Sequence, residues 1–255
     1  MILWLTCTHG RYKCLQRNLR CYLDQDHTSP SVMFICNSGS PLKLPDAFII
    51  PANKSVYIDN CSLMNFQSVG EKYNHAIKLA KQLYPDTQIV TSADDDDIFL
   101  PNHLSEGWKG IYKGLDVYGY KPQKSYYRYR DLQGNLKIDL QENTLEPSIF
   151  VYCDWLLDKG YANVSVKYHQ QWLDPLIYEG KLKVDIHGTP TLVYNWGDNG
   201  DTDGDYSIYK MSGSGNDNRQ NFVAHQRSSK DMGNGILYPL QSNDKFYNEI
   251  KVLNL

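Results

Sequence analysis

The order in which apolar runs and amphipathic stripes alternate over the first hundred residues constrains the fold most. Ile2–Thr8 is short, apolar and partly β-branched, and it stops at His9-Gly10, so it reads as a buried strand. From Arg11 to Gln25, Tyr12, Leu15, Leu19, Tyr22 and Leu23 recur at helical spacing and make one apolar stripe. Ser31–Asn37 is a second buried strand, ending at Asn37-Ser38-Gly39-Ser40, and Phe48–Ile50 and Val56–Ile58 read as shorter ones. Val69, Tyr73, Ala76, Ile77, Ala80, Leu83 and Tyr84 draw a second helical stripe before Pro85, and Thr87–Ala93 is the next strand. This alternation builds a parallel sheet with helices on its faces, whose ligand crevice lies at the carboxyl ends of the strands. The loops there are Thr8 to Arg11, Asn37 to Ser40 and Asp94 to Asp97.

Composition limits the alternatives. A chain of 255 residues with 41% hydrophobic and 22% charged residues can bury a proper core, which excludes a disulfide-stapled miniprotein and wholesale disorder. Lys+Arg 26 against Asp+Glu 29 leaves a net charge of −3, which argues against a protein that coats nucleic acid electrostatically. No run approaches the ~20 apolar residues of a membrane span, and Met1–Thr8 lacks the flanks of a signal peptide, so the expectation is a cytoplasmic protein. The six cysteines form no CxxC pairs and fall in apolar runs, where they read as buried reduced thiols.

Asp94–Asp97 follows an apolar strand at the crevice end of the inferred sheet. Four adjacent carboxylates repel one another and need a cation or open solvent. A solvated acidic turn, or an N-terminal cap for the helix opening near Pro101, is the plain alternative. An all-oxygen site at such a place suits Mn²⁺ or Mg²⁺.

Four blocks in order resemble the family-two glycosyltransferases of GT-A fold. Leu5-Thr6-Cys7-Thr8-His9-Gly10-Arg11, with Gln25 after the helix, is similar to that family's opening strand and Arg-bearing turn. Val32–Asn37 with Ser38-Gly39-Ser40 resembles its second strand, with Asn37 where the family usually has Asp. Ser68 to Ile77, containing Lys72 and Asn74, resembles the helix that carries a near-invariant Asn, and Asp94 to Leu104 resembles its DxD motif with the Pro and Leu that follow. The resemblance implies a mixed, mostly parallel α/β sheet flanked by helices, with an irregular C-terminal segment. It also implies a nucleotide-diphosphate sugar donor held by Thr8, Arg11, Asn37, Ser40, Lys72, Asn74, Asp94 and Asp96. Asp94 faces the ribose side, and Asp96 with Asp94 takes the Mn²⁺ or Mg²⁺. Residues 1–114 form the donor half, 115–197 the acceptor half and 198–255 a loop-rich segment.

Beyond residue 114, strand-like pieces are expected at Leu115–Tyr120, Ser125–Arg130 and Leu136–Leu140, and a helix at Gln170–Glu179. An inverting transferase needs a base opposite the leaving group. The resembled family has a Glu-Asp pair near Tyr168 to Pro175, where this chain has glutamines. Asp174 is the nearest carboxylate, with His169 behind it. Asp174 as catalytic base and Asp174 as helix-opening residue before Pro175 stand side by side; Asp154 and Asp158, or a retaining mechanism, are the other routes. In the last strand, no His stands where the family's metal-contacting one does; Asp198 or His187 is the nearest substitute, and Asp198–Asp205 reads as a solvated turn.

Lys121, Lys124, Arg128 and Arg130 interleave with Tyr120, Tyr126, Tyr127 and Tyr129. Either this is a hairpin with a packed tyrosine face and a solvated basic face, or Tyr127, Arg128 and Arg130, with Trp172, receive the acceptor, a glycan or a polymer such as hydroxymethylated DNA. The rival functions are a nucleotidyltransferase of related fold, which normally has a glycine-rich basic loop after its first strand, and a non-catalytic carbohydrate-binding protein.

Overall fold

The computed structural model describes residues 1–9, 12–46, 48–114, 116–130, 136–142, 146–164, 167–195 and 235–238. In chain order they form β1 (Ile2–Thr8), α1 (Tyr12–Leu23), β2 (Ser31–Asn37), β3 (Lys54–Asn60), α2 (Val69–Leu83), β4 (Ile89–Ser92), β5 (Ile98–Phe99) and α3 (His103–Tyr112). There follow β6 (Gly119–Pro122), β7 (Lys124–Arg130), β8 (Leu136–Glu142), a 3₁₀ turn at Glu146–Ser148, β9 (Phe150–Tyr152), α4 (Cys153–Lys159), α5 (Gln170–Tyr178), β10 (Leu182–Asp185) and β11 (Leu192–Asn195).

The main sheet has the order β10-β6-β9-β4-β1-β2-β3, with β9 antiparallel to both its neighbours and the other pairs parallel. Both faces of this sheet are covered, which is why β1 and β2 are apolar almost without interruption. The period of two divides them cleanly. Ile2, Trp4, Met33 and Ile35 join one core with Leu15, Leu19 and Tyr22 of α1, whereas Leu3, Leu5, Val32 and Phe34 join the other with Tyr73, Ala76, Ile77 and Ala80 of α2. α3 adds Leu104 and Ile111 to the first core; Leu156 of α4 and Trp172 and Leu176 of α5 enter the second.

Strand order sets the crevice. The chain moves outward from β1 through β2 to β3, then returns to pair β4 on the other side of β1. The loops after β1 and β4 therefore diverge at a switch point, the place where open α/β sheets bind their ligands. β4 ends early: Ser92 pairs with Leu5, while β1 continues to Thr8. The residues after Ser92 thus turn alongside the end of β1.

A second, smaller sheet runs β5-β11-β7-β8. β5 follows the aspartates directly, so this sheet carries β7 and β11 to the same end of the molecule. Gln25 secures the junction: its amide donates to the carbonyls of Cys21 and Leu100 and accepts from the backbone N–H of Leu104, at 2.8 to 2.9 Å.

Most predicted elements are present within a few residues of their expected bounds. Phe48–Ile50 is not a strand, and Ile49 is exposed, because the segment between β2 and β3 runs outside the sheet. β9, α4 and β10 were not anticipated; each is too short to show a period. The C-terminal segment expected at 198–255 lies outside the described residues except for 235–238, where Ile236 bridges Lys43 and Leu237 is buried against the first core. Among the described residues no helix is long and apolar enough to cross a membrane. All six cysteines are free thiols, five of them buried.

His103, fully buried on α3, sits between the hydroxyls of Thr91 (3.1 Å) and Thr191 (2.9 Å). Burial pushes its pKa down to about 3. The unfolded chain takes up this proton near pH ~6.5, so the stability is fully present above that pH and is lost as pH falls toward 3, on the order of 5 kcal/mol. Melting temperature measured from pH 7 to 4 is expected to fall more steeply for the wild type than for His103→Gln. Parallel curves would show that His103 does not carry the effect.

Candidate active site

The turn at the end of β4 is held by its backbone. Ala93 N–H donates to the Leu5 carbonyl at 2.8 Å, and Asp97 N–H closes the turn on the Asp94 carbonyl at 3.3 Å. From α1, Asn18 Nδ2 donates to the Asp94 carbonyl (2.9 Å) and Arg17 Nη2 to the Asp96 carbonyl (3.0 Å). Asn18 is itself oriented by Trp4 Nε1 and Thr6 Oγ1, both donating to its Oδ1. With the carbonyls taken up in this way, side-chain direction alternates along the turn: Asp95 and Asp97 are buried, Asp94 and Asp96 half-exposed.

Each carboxylate has a distinct setting. Asp95 accepts the Thr8 hydroxyl at 2.5 Å, a short charge-assisted bond that ties the two diverging loops together. Asp94 Oδ1 accepts from the Tyr73 hydroxyl at 3.2 Å. The Tyr73 ring stacks on Tyr168 at 5.1 Å and packs against Tyr161 at 4.9 Å, which links Asp94 to the start of α5, where His169 follows Tyr168. The helix-cap reading of the aspartates fails: β5 intervenes, and the cap position of α3 is Asn102.

Tyr194 of β11 senses the same charges. Its phenol is pushed well above the ordinary value, first by burial and then by Asp97, Asp96 and Asp94. Negative potential thus concentrates at the mouth of the turn, and the half-exposed Asp94 and Asp96 offer carboxylate oxygens. This donor set fits a hard divalent cation.

Several residues expected to touch a donor have other roles. Asn37 is fully buried: its Nδ2 donates to the Ser40 carbonyl and Asn60 Oδ1, and its Oδ1 accepts from Gly39 N–H. It shapes the Asn37–Ser40 loop and presents no free amide to a base. Ser40 is half-buried and supplies the carbonyl of that loop. Lys72, also buried, donates to the Thr8 carbonyl and to Ser38 Oγ, so it joins the loops after β1 and β2 instead of reaching toward phosphate. His9, bonded to the same Ser38, is held below its ordinary pKa first by burial and then by the Lys72 ammonium. Asn74 clamps the backbone of Tyr161, donating to its carbonyl and accepting its N–H, both at 2.7 Å. Arg11 lies outside the described residues.

The acceptor-side expectations change more. Trp172 is in the second core, edge-on to Tyr161, and its carbonyl accepts from Trp155 Nε1 at 3.0 Å; an aromatic residue inside a core offers no sugar platform. β7 and β8 form the expected antiparallel hairpin, on which Lys124 is exposed, but Arg128 is only 3% exposed and so does not belong to a solvated basic face. Tyr127 is buried edge-on to Tyr194, with its hydroxyl on the Glu142 carbonyl. The Arg130 side chain lies outside the described residues. Asp174 is mid-helix, half-exposed in α5 with Pro175 inside the helix, so it does not open that helix. Asp154 is exposed beside Lys81 near Met1 and Gln88, at the amino end of β4, which removes it from the crevice. Asp158 faces solvent with Lys159. His187 is exposed in the turn after β10, while Asp198 and the turn Asp198–Asp205 lie outside the described residues.

Arg17, Asn18, Tyr73 and Tyr194 carry the site and were not singled out beforehand. Tyr73 counted as one apolar residue of a helical stripe, and nothing local marks a hydroxyl that will meet a carboxylate 21 residues away.

The sequence matches no protein-family model and no curated protein. The fold does match solved structures. S. aureus TarS 1-349 aligns with a TM-score of 0.52 at 12% identity, over 76% of this chain and 60% of that one. TarS 1-349 in complex with UDP-GlcNAc gives 0.53 at 11% identity, over 76% and 58%, and in complex with UDP 0.51 at 13%, over 77% and 61%. The chain thus spans about three fifths of the length of that fragment. These neighbours are glycosyltransferases of GT-A type, and this mixed, mostly parallel sheet flanked by helices is the GT-A fold.

The alternation of side chains along the turn separates stability from binding. Asp95→Ala leaves the Thr8 hydroxyl without its buried acceptor and is expected to cost about 1–3 kcal/mol in urea denaturation. Asp96→Ala is expected to change stability by less than ~0.5 kcal/mol. The opposite order would place Asp96 in the interior.

Proposed function

We propose that the chain is a metal-dependent glycosyltransferase that moves a hexosyl or pentosyl group from a nucleotide-diphosphate sugar to a hydroxyl acceptor. The observation that carries this reading is the Asp94–Asp97 turn at the switch point, anchored by its carbonyls so that Asp94 and Asp96 turn outward. The fold of solved proteins captured with UDP-GlcNAc and UDP supports a nucleotide-sugar donor in particular.

In this reading, Asp94 and Asp96 hold Mn²⁺ or Mg²⁺ as a DxD motif, as in the family-two enzymes. When bound, the ion supplies Lewis-acid stabilisation to a diphosphate leaving group. Tyr73 sets the orientation of Asp94 through its hydroxyl. Thr8 and Asp95 fix the distance between the two loops that flank the nucleotide. Lys72 and Asn37 keep the Thr8 and Asn37–Ser40 loops in shape, and Arg11 follows the first of these in the chain. On the acceptor side, α5 brings His169 and Asp174 as proton-accepting groups, with His169 directly after the tyrosine that stacks on Tyr73. Arg128 and Tyr127 are buried and so add nothing to a polyanion-binding surface, which favours a glycan hydroxyl over DNA as acceptor.

Purified protein incubated with UDP- and GDP-sugars and Mn²⁺ is expected to release the nucleoside diphosphate, and a chelator is expected to stop the release. In calorimetry Asp96→Ala should weaken metal-dependent donor binding by roughly 100-fold or more, and Asp95→Ala much less at a temperature where it is folded. Release of a nucleoside monophosphate with pyrophosphate would identify a nucleotidyltransferase. Sugar binding indifferent to both metal and Asp96 would identify a non-catalytic binder.

A further inference from the structure

A second group of potential ligands lies under α2, away from the aspartate turn. The parallel register sets Cys7, Cys36 and Asp59 in one row across β1, β2 and β3. Cys36 is fully buried on the α2 side of the sheet, and His75 comes down from α2 onto the same row. His75 Nε2 lies 2.8 Å from Asp59 Oδ2, the Cys36 thiol lies 3.9 Å from that same oxygen, and the three donor atoms all lie within 4.8 Å of one another.

We propose that Cys36, Asp59 and His75 form a binding site for a thiophilic divalent transition metal, with Zn²⁺ the best fit, separate from the Asp94 and Asp96 site. The ligand types decide the metal. A thiolate, an imidazole and a carboxylate suit Zn²⁺, whereas Mn²⁺ and Mg²⁺ prefer oxygen. The donor atoms, all within 4.8 Å of one another, lie close enough to adjust to an ion. With Zn–S of about 2.3 Å and Zn–N and Zn–O of about 2.0–2.2 Å, tetrahedral ligand pairs lie ~3.4–3.6 Å apart. The sulfur–oxygen pair is within a few tenths of an ångström of this, and the His75–Asp59 pair opens once the ion replaces the proton between them.

The proton balance is simple. His75 moves its ring proton to the other nitrogen, and the Cys36 thiol releases one proton per ion bound, leaving thiolate and carboxylate charges to neutralise the cation. Three rigid elements meet at the ligands. Cys36 immediately precedes Asn37, and His75 lies one helical turn beyond Lys72, so an ion here would brace β2, β3 and α2 beneath the Asn37–Ser40 loop.

The test uses the full chain, reduced and stripped with a chelator, and Co²⁺ as the optical probe. The expected result is a near-ultraviolet thiolate-to-cobalt charge-transfer band with intense visible bands, saturating at one equivalent and discharged by Zn²⁺, with a rise in melting temperature on Zn²⁺ addition. Cys36→Ser and His75→Ala, each checked for folding by circular dichroism, lose the band, and Asp96→Ala keeps it whether or not the enzyme reading holds. No charge-transfer band in the folded wild type, or a band that persists in Cys36→Ser and His75→Ala, overturns the site.

Discussion

Two adjacent side chains of α1 govern the candidate site. Arg17 and Asn18 hold the carbonyls of Asp96 and Asp94, which sets the path of a turn that four neighbouring carboxylates would otherwise push apart. Once the carbonyls are held, the carboxylates alternate between inside and outside. Asp95 goes inward to Thr8 and closes the switch point; Asp94 and Asp96 stay at the mouth, where Tyr194 registers their charge. Buried hydrogen bonds specify geometry in this way because breaking them leaves a desolvated group unpaired.

The same logic explains why so many polar residues near the crevice do not face it. Lys72 bonds to the loops after β1 and β2, Asn37 closes its own loop and reaches Asn60 of β3, and Asn74 clamps Tyr161. A crevice built from loops at strand ends has many backbone groups without ladder partners, and these side chains supply them. The result is a rim tied together by side-chain hydrogen bonds around a small number of outward-facing groups.

Much of the fold was legible in local pattern. β1 and β2 have the expected bounds, α2 lies within a residue of its own, and the four aspartates sit at the carboxyl end of β4 as the alternation implied. β9 was not legible, since a three-residue antiparallel strand inserted between β4 and β6 has no period of its own. Trp172 and Arg128 misled for a related reason. A tryptophan and an arginine look alike in sequence whether they face solvent or are covered, and it is the packed chain that buries Trp172 against α4 and leaves Arg128 3% exposed.

By itself the sequence determined the parallel sheet, the helices on its two faces and the strand end at which carboxylates gather. Each of these follows from hydrophobic periodicity, which acts within a dozen residues. The tertiary structure decided which carboxylates face outward and which polar residues hold the rim together. Those outcomes depend on partners far along the chain: Thr8 and Asp95 are 87 residues apart, as are Asn74 and Tyr161, and Arg17 and Asp96 are 79 apart. A side chain's burial and its hydrogen-bond partner are properties of the packed chain, so no local pattern encodes them.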